Sequence, residues 1–302
     1  MSPLISSEQV ALVVAEVLDV AVSRVTRLPG SVANQDFVIE QAGGPRLVLK
    51  AGPEAEIAAE AWACAHLASI GIPVPQVIVS ELGSSQLGFP FLIARFVAGE
   101  PTSDADVVRE VGARFRRVHE VELPGWGSLT VGPEPAAARG VGGRYSSWRD
   151  AIEADLAGVQ ELIAAGVLEQ RVADAALLLV GVEGLLDYEG PGVLLHNDLK
   201  PAHLFGLKSQ GRRRLSAIID WGDASIGDPA ADIARLSMSG SAATAAFLDG
   251  YDMRLTAELA DRLTRYRIVW NLRALSYEFR AGGDWFETYR SGIKEDAARL
   301  LR

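Results

Sequence analysis

Residues 193–205 read VLLHNDLKPAHLF, an aliphatic run that breaks abruptly into ionisable side chains. Val193 to Leu195 and Leu199 bury easily, whereas His196, Asp198, Lys200 and His203 enter a core only with partners. A chain with this pattern must gather polar groups at the end of a short strand. Downstream, the turn GLKSQGR and a second strand-like run, RLSAIID, lead into the polar elbow WGDASIGDP. Together these predict one small hairpin unit with Asp198, His203 and Asp220 at its mouth. Two carboxylates and an imidazole so placed can hold a divalent cation against a phosphate chain. A salt-bridged loop paired with Arg or Lys is the other reading of the same residues.

Upstream, the sequence reads as a sheet with one helix inserted. Ser6 to Gln9 (SSEQ) offers a capping box for a helix running to about Val20. VTRL, DFVIEQ and RLVLKA then read as strands, divided by LPGSVANQ and the hairpin-like AGGP. From Glu54 to Ile70 the spacing predicts a helix with Ile57, Ala61, Cys64 and Leu67 on one face, ended by GIPVP. QVIVSE and FPFLIARFV add two strands, for a five-stranded antiparallel sheet that closes near Val97. From Asp104 onward the pattern is mainly helical, with Val111, Phe115 and Val118 at helical spacing. PGWGSLTVGPEPAAARGVGG predicts a long mobile loop. SSWRDAIEADLAGVQELI follows as one helix capped by Ser146 or Ser147. The expected division is 1–97 and 98–302.

Bulk properties narrow the function. A formal net charge of −10 over 302 residues disfavours nucleic acid and attracts polycationic small molecules. The single cysteine, Cys64, excludes an internal disulfide and a Cys-rich zinc site, and reads as a small buried hydrophobe. MSPLISSEQV lacks the basic residues of a signal peptide, and QVALVVAEVLDVAV is interrupted by Glu16 and Asp19. The expectation is a cytoplasmic protein with no membrane partner, a monomer or weak dimer.

Lys50 ends the strand RLVLK, and Glu60 follows ten residues later on the helix. A strand Lys held by a helix Glu clamps nucleotide phosphates in kinases. A solvated Lys, or a pairing with Glu54 or Glu56, is the competing reading.

HNDLKPAHLF followed by AIIDWGDASIGDPAADIARL resembles the signature of the aminoglycoside phosphotransferase family, small-molecule kinases with a protein-kinase-like fold. SVANQDFVIE, RLVLKAG, EAWACAHLASIGIPVPQV and FPFLIARFVAGEP fall in the family's order. PGWGSLTVG with GRYSSWRDAI is similar to the segment before the catalytic loop of hygromycin B phosphotransferases. The resemblance implies an α+β bilobal fold, with a small antiparallel-sheet nucleotide-binding N-lobe and a larger, mainly helical catalytic C-lobe.

By position, the resemblance makes Asp198 the catalytic base and sets Lys200 near the transferring phosphoryl. Asp220 chelates magnesium, and His203 stands where the family usually has a metal-binding Asn: either its imidazole is a ligand, one that suits manganese better than magnesium, or that site is held by Asp220 and water alone. Lys50 and Glu60 hold the phosphates of ATP or GTP, with Ser31 in the nucleotide loop. Backbone around Ala94 to Phe96 meets the base. His196 shapes the loop, and Asp232 either accepts its backbone amides or caps a helix. Among the acceptor-pocket candidates Asp223, Asp228, Glu278 and Asp284, Asp223 and Glu278 are carried forward. Trp221, Trp270 and Tyr277 are possible stacking surfaces, and Arg267, Arg273 and Arg280 are expected to neutralise nearby acids. The implied function is phosphorylation of a cationic aminoglycoside such as hygromycin B, conferring resistance. A metabolic kinase of a sugar, amino sugar or amino alcohol, and a weakly catalytic nucleotide-binding protein, are the alternatives.

Overall fold

The computed structural model describes residues 4–29, 34–83, 87–132, 140–181, 185–209 and 211–301. The chain divides into two compact units. The first comprises Met1–Pro101, Thr130–Gly140 and Phe205–Ala224; the second comprises Thr102–Leu129, Val141–Leu204 and Ser225–Arg302. Phe205–Ala224, which the sequence assigns to the C-terminal lobe, thus belongs with the N-terminal sheet.

In the first unit the helix Ser7–Leu18 opens on the expected capping box: Ser6 Oγ accepts from the Gln9 amide at 3.1 Å, and Gln9 Oε1 accepts from the Ser6 amide at 2.9 Å. Five antiparallel strands follow, in the spatial order Val22–Arg27, Gln35–Gln41, Leu47–Ala51, Phe91–Arg95 and Val77–Glu81. Alternation in QDFVIEQ sends Phe37 and Ile39 into a core with Leu47, Leu49, Phe91 and Ile93. Each of these side chains contributes about 1.5–3 kcal/mol by leaving water. The same period turns Asp36 and Lys50, paired in register, to the other face. The helix Glu54–Ser69 buries Ile57, Cys64 and Leu67, and with them Glu60.

The predicted hairpin forms from different partners. Leu204–Ser209 pairs with Arg212–Ile218, and Glu100–Pro101 adds a third strand. Residues 210–211 alone separate the two long strands, so this hairpin closes locally at little entropic cost. Val193–Leu195 pairs instead with Ser225–Gly227 in the second unit.

That second sheet runs in the order Val141–Tyr145, Trp126–Val131, Ser225–Gly227 and Val193–Leu195. Two of its strands lie where a long loop was expected. Glycine explains the difference: a Cβ on Gly143 would sit 2.0 Å from the Trp126 nitrogen, so the composition that suggests a loop permits close strand approach here. Residues 133–139, the middle of that segment, lie outside the described residues.

Around this sheet stand the helices Ala105–Val118, Trp148–Leu156, Val159–Ala164, Gln170–Val180, Ala230–Ser237, Ser241–Tyr251, Ala257–Ala281 and Phe286–Leu300. Val111, Phe115 and Val118 are fully buried, and Phe115 meets Phe247 with ring centroids 5.9 Å apart. Ser147 is the cap of Trp148–Leu156, its Oγ accepting from the Asp150 amide. The single helix expected there breaks at Gly158, where a Cβ would come within 2.6 Å of Ser276 Oγ on the long helix Ala257–Ala281. Among the described residues no helix is long and apolar enough to cross a membrane.

Candidate active site

In the first unit, Lys50 lies on the sheet face opposite Leu49 and is only 7% exposed. Its Nζ donates to Glu60 Oε2 at 2.6 Å and to Asp220 Oδ1 at 2.5 Å. Glu60, rather than Glu54 or Glu56, is therefore its helix partner; Glu56 accepts from Asn34 Nδ2 at 3.1 Å. Burial works against the charged ammonium, but Glu60 and Asp220 outweigh it and hold the Lys50 pKa well above its ordinary value.

Asp220 follows the strand Arg212–Ile218 with a left-handed backbone, φ 68°. Four described non-glycine residues have positive φ. Asp19 and Asp252 cap helix C-termini, which leaves Asn197 and Asp220 held in an uncommon conformation within loops that carry ionisable groups.

Further carboxylates surround the ammonium. Burial raises the Asp36 pKa, against the pull of Lys50, and its Oδ1 has no hydrogen-bond partner. Burial also raises Glu56, and the charge of the exposed Asp223 adds to that shift. Lys50 thus sits among Asp36, Glu56, Glu60 and Asp220, with the Asp223 charge acting on Glu56. Such an oxygen-rich, electron-rich set fits a hard divalent cation, with the partly exposed Asp220 the best-placed donor.

The strand Phe91–Arg95 is committed on both sides. Ala94 is buried and pairs with Val48 and Val77. The Arg95 amide donates to Gln76 O at 2.9 Å, and the Phe96 amide donates to Arg46 O at 3.0 Å. These two amides belong to the sheet and its edge rather than to a ligand. Trp221 is fully buried, with Nε1 donating to Ile218 O at 3.0 Å, and is a core residue rather than a stacking surface. Ser31 lies outside the described residues.

In the second unit, Asp198, Lys200 and His203 come together after the strand Val193–Leu195. Asp198 Oδ1 accepts from Arg235 Nε at 2.8 Å, and its Oδ2 accepts from Lys200 Nζ at 2.6 Å. Burial opposes ionisation of Asp198, yet Arg235, His203 and Lys200 together hold its carboxyl below the ordinary value. His203 Nδ1 lies 3.0 Å from the Asp198 carbonyl. A carbonyl only accepts, so Nδ1 carries a proton; in the neutral form of the ring the lone pair then falls on Nε2, the tautomer that suits a metal ligand.

Asp232 fastens this loop from below. Its carboxylate accepts from the amides of His196 at 2.9 Å and Asn197 at 2.7 Å, and approaches His119 Nε2 at 3.2 Å. The N-cap of Ala230–Ser237 is Pro229, so Asp232 is the loop anchor and not the cap. His119 Nδ1 in turn lies 2.9 Å from Tyr251 Oη; burial, with Asp232 and Asp228 nearby, pushes the Tyr251 phenol up to about 12. His196 is fully buried, and its Nδ1 accepts from the Asp198 amide at 3.3 Å.

Arg235 lies over the Trp270 ring at 3.9 Å, and Trp270 Nε1 donates to Asn197 O at 3.2 Å. Tyr289 meets Trp270 edge-on, with centroids 6.0 Å apart. Burial and the adjacent Glu278 charge raise the Tyr289 pKa. Glu278 Oε1 accepts from the amides of Asp284 at 3.0 Å and Trp285 at 3.3 Å, closing the turn before Phe286–Leu300. Asp228 is buried against Arg262 and Tyr266 and is part of the core. The expected neutralising arginines are paired: Arg267 with Asp296, Arg273 with Asp155 and Arg280 with Glu161. Tyr277 is half exposed.

Arg235, Tyr289 and Asp36 were not expected from sequence. Arg235 carries a legible signal, since it lies three residues after Asp232 and so on the same helix face. Tyr289 carries none.

The family model described as the phosphotransferase enzyme family matches residues 24–267. Among solved structures, aminoglycoside phosphotransferase APH(4)-Ia is similar at 22% identity, covering 98% of each chain with a TM-score of 0.72. A thermostable mutant of the same enzyme, in ternary complex with AMP-PNP and hygromycin B, is similar at 21% identity over 97% of this chain and 98% of that one, TM-score 0.72. The GDP and kanamycin complex of APH(2")-IIia is similar at 18% identity over 97% and 99% of the two chains, TM-score 0.73. No curated protein matches by sequence. These likenesses establish the fold, the mixed α/β kinase-like class that the resemblance implied.

Proposed function

The chain belongs to the phosphotransferase enzyme family, and we propose that it transfers the γ-phosphoryl group of ATP or GTP to a hydroxyl of an aminoglycoside, with hygromycin B as the first candidate. The observation that carries this reading is a pair of ionic clusters of opposite sign, one in each unit: a buried lysine held charged by carboxylates, and a carboxylate held ionised by cations. The relatives captured with AMP-PNP and hygromycin B, and with GDP and kanamycin, support the nucleotide and acceptor classes.

Lys50 neutralises phosphate charge, and Glu60 fixes its rotamer. A magnesium ion on Asp220 would supply further neutralisation of the phosphates, and His203 Nε2 is a second candidate donor that tolerates manganese. Ser31 belongs to the nucleotide loop. Because Ala94 and the amides of Arg95 and Phe96 are used within the sheet, contact with the base falls to the Phe96 carbonyl or to the chain beyond it. Asp198 orients the acceptor hydroxyl; as its oxygen bonds to the γ-phosphorus and the nucleoside diphosphate departs, the carboxylate takes the proton. Lys200, a third exposed, can leave Asp198 Oδ2 to the hydroxyl and move to the transferring group. Asp223 and Glu278 are the carboxylates that would meet acceptor ammonium groups.

One observation favours a second reading, a metabolic kinase of a sugar, amino sugar or amino alcohol. Two cations flank Asp198, and one Glu278 oxygen is occupied by backbone amides, so these two carboxylates offer little negative charge to a polycation. The deciding experiment measures nucleoside diphosphate release with ATP and GTP, in magnesium and in manganese, across aminoglycosides and simple sugars and amino alcohols. Turnover with hygromycin B upholds the first reading. Turnover with metabolites alone selects the second, and nucleotide binding without turnover on any acceptor defeats both.

A further inference from the structure

Asp198 has two unlike partners. Lys200 is a point charge on a flexible stem, with a side chain 32% exposed. Arg235 is planar, only 11% exposed, and restrained on two sides: its guanidinium lies over Trp270 at 3.9 Å, and its Nη1 approaches Met238 Sδ at 3.8 Å. Trp270 is itself tied to the loop through the Asn197 carbonyl. A closed ring therefore runs from Asn197 through Trp270 and Arg235 to Asp198, across the residue whose left-handed backbone, φ 65°, aims the carboxylate.

We propose that Arg235, braced on Trp270, is a positioning residue for phosphoryl transfer: it fixes the plane of the Asp198 carboxylate and leaves the Lys200 side as the face that receives the acceptor hydroxyl. This role rests on the kinase reading above. Lys200 alone would let the carboxylate turn about its Cβ–Cγ bond, and a misplacement on the order of 1 Å lowers transfer about 100-fold. The guanidinium restrains that rotation without occupying Oδ2.

The test follows nucleoside diphosphate release from ATP and GTP with magnesium, with hygromycin B and with water alone as acceptor. Arg235→Gln should lower kcat roughly 10- to 100-fold while the nucleotide KM stays within about twofold. Arg235→Lys should recover only part of the loss, and Trp270→Phe, which keeps a ring under the guanidinium, should lose less than Trp270→Leu. Melting curves separate misfolded variants from misaligned ones. In an Asp198→Asn background, Arg235→Gln should cause no further loss, because Arg235 acts through that carboxylate. Parent-like kcat in Arg235→Gln, or an equal loss with and without Asp198, overturns the positioning role and leaves the kinase reading standing. Full turnover by Asp198→Asn alone, or no turnover by the parent with either acceptor, overturns the kinase reading and this role with it.

Discussion

The two ionic clusters are inverses of each other. In the first unit one lysine answers a surplus of carboxylates, and burial raises the pKa of Asp36 and Glu56. In the second unit one carboxylate answers Arg235, Lys200 and the nearby His203, and its pKa falls. The first cluster has negative charge left over, which under the proposed function a cation would complete. The second has positive charge left over, which under the proposed function an electron-rich group, such as a phosphoryl oxygen, would complete. Under the proposed kinase function, the sign of the excess charge, more than the number of contacts, would separate nucleotide handling from acceptor activation.

The sharpest break in this comparison comes from Asp198→Asn. Loss of a general base lowers rates by about 100- to 10,000-fold, so kcat should fall within that range while nucleotide affinity, read by calorimetry, stays near the parent's. An equal loss of affinity would show that the clusters do not divide the work. Next in size, Lys50→Met strands the buried Glu60, and removal of one partner of a buried pair costs about 3–5 kcal/mol. Urea unfolding should show that loss, and adding Glu60→Gln should recover part of it. Nucleotide binding should weaken in both variants.

Acid should act on the clusters with opposite sign. Asp198 has a depressed folded-state pKa, so its contribution to stability is present above the unfolded carboxylate value and is lost as pH falls through the folded one. Asp36 has a raised pKa, so its ionised form opposes folding at neutral pH and its protonation on acidification favours folding. Asp36→Asn should therefore raise Tm by about 1–3 °C at pH 7, with the gain shrinking as pH falls below the raised value. A constant gain at every pH would assign the effect to packing instead. The smallest effect is a control far in sequence from either cluster: Thr256→Ala removes the cap of Ala257–Ala281 and should cost about 1 kcal/mol with transfer unchanged.

The first sheet was legible in the sequence because its strands are short apolar or alternating runs bounded by turn residues, with the clearest period-two signal in Gln35–Gln41 and Val77–Glu81. Lys50 with Glu60 was legible from the order of a strand Lys and a helix Glu, with Glu54 and Glu56 left as competing partners. The strands Trp126–Val131 and Val141–Tyr145 were not, because local glycine content describes freedom of the chain, and here tertiary contact uses that freedom for close approach. The pairing of Val193–Leu195 was illegible because its partner, Ser225–Gly227, is a three-residue strand with no periodicity to read. The separate ionic clusters were half legible: their named members carried motif signals. Arg235 carried only its spacing from Asp232, and the structure places it 2.8 Å from Asp198.

Cys64 lies one helical turn beyond Glu60, 1% exposed, its thiol pushed far up by burial and by the Glu60 charge. As the chain's single sulfhydryl, it is silent to alkylating reagents while the helix Glu54–Ser69 stays docked. Its labelling rate is accordingly a built-in clock for opening of the lysine cluster, readable without a probe being engineered. Nucleotide that tightens this cluster should slow the clock, and acceptor alone should not.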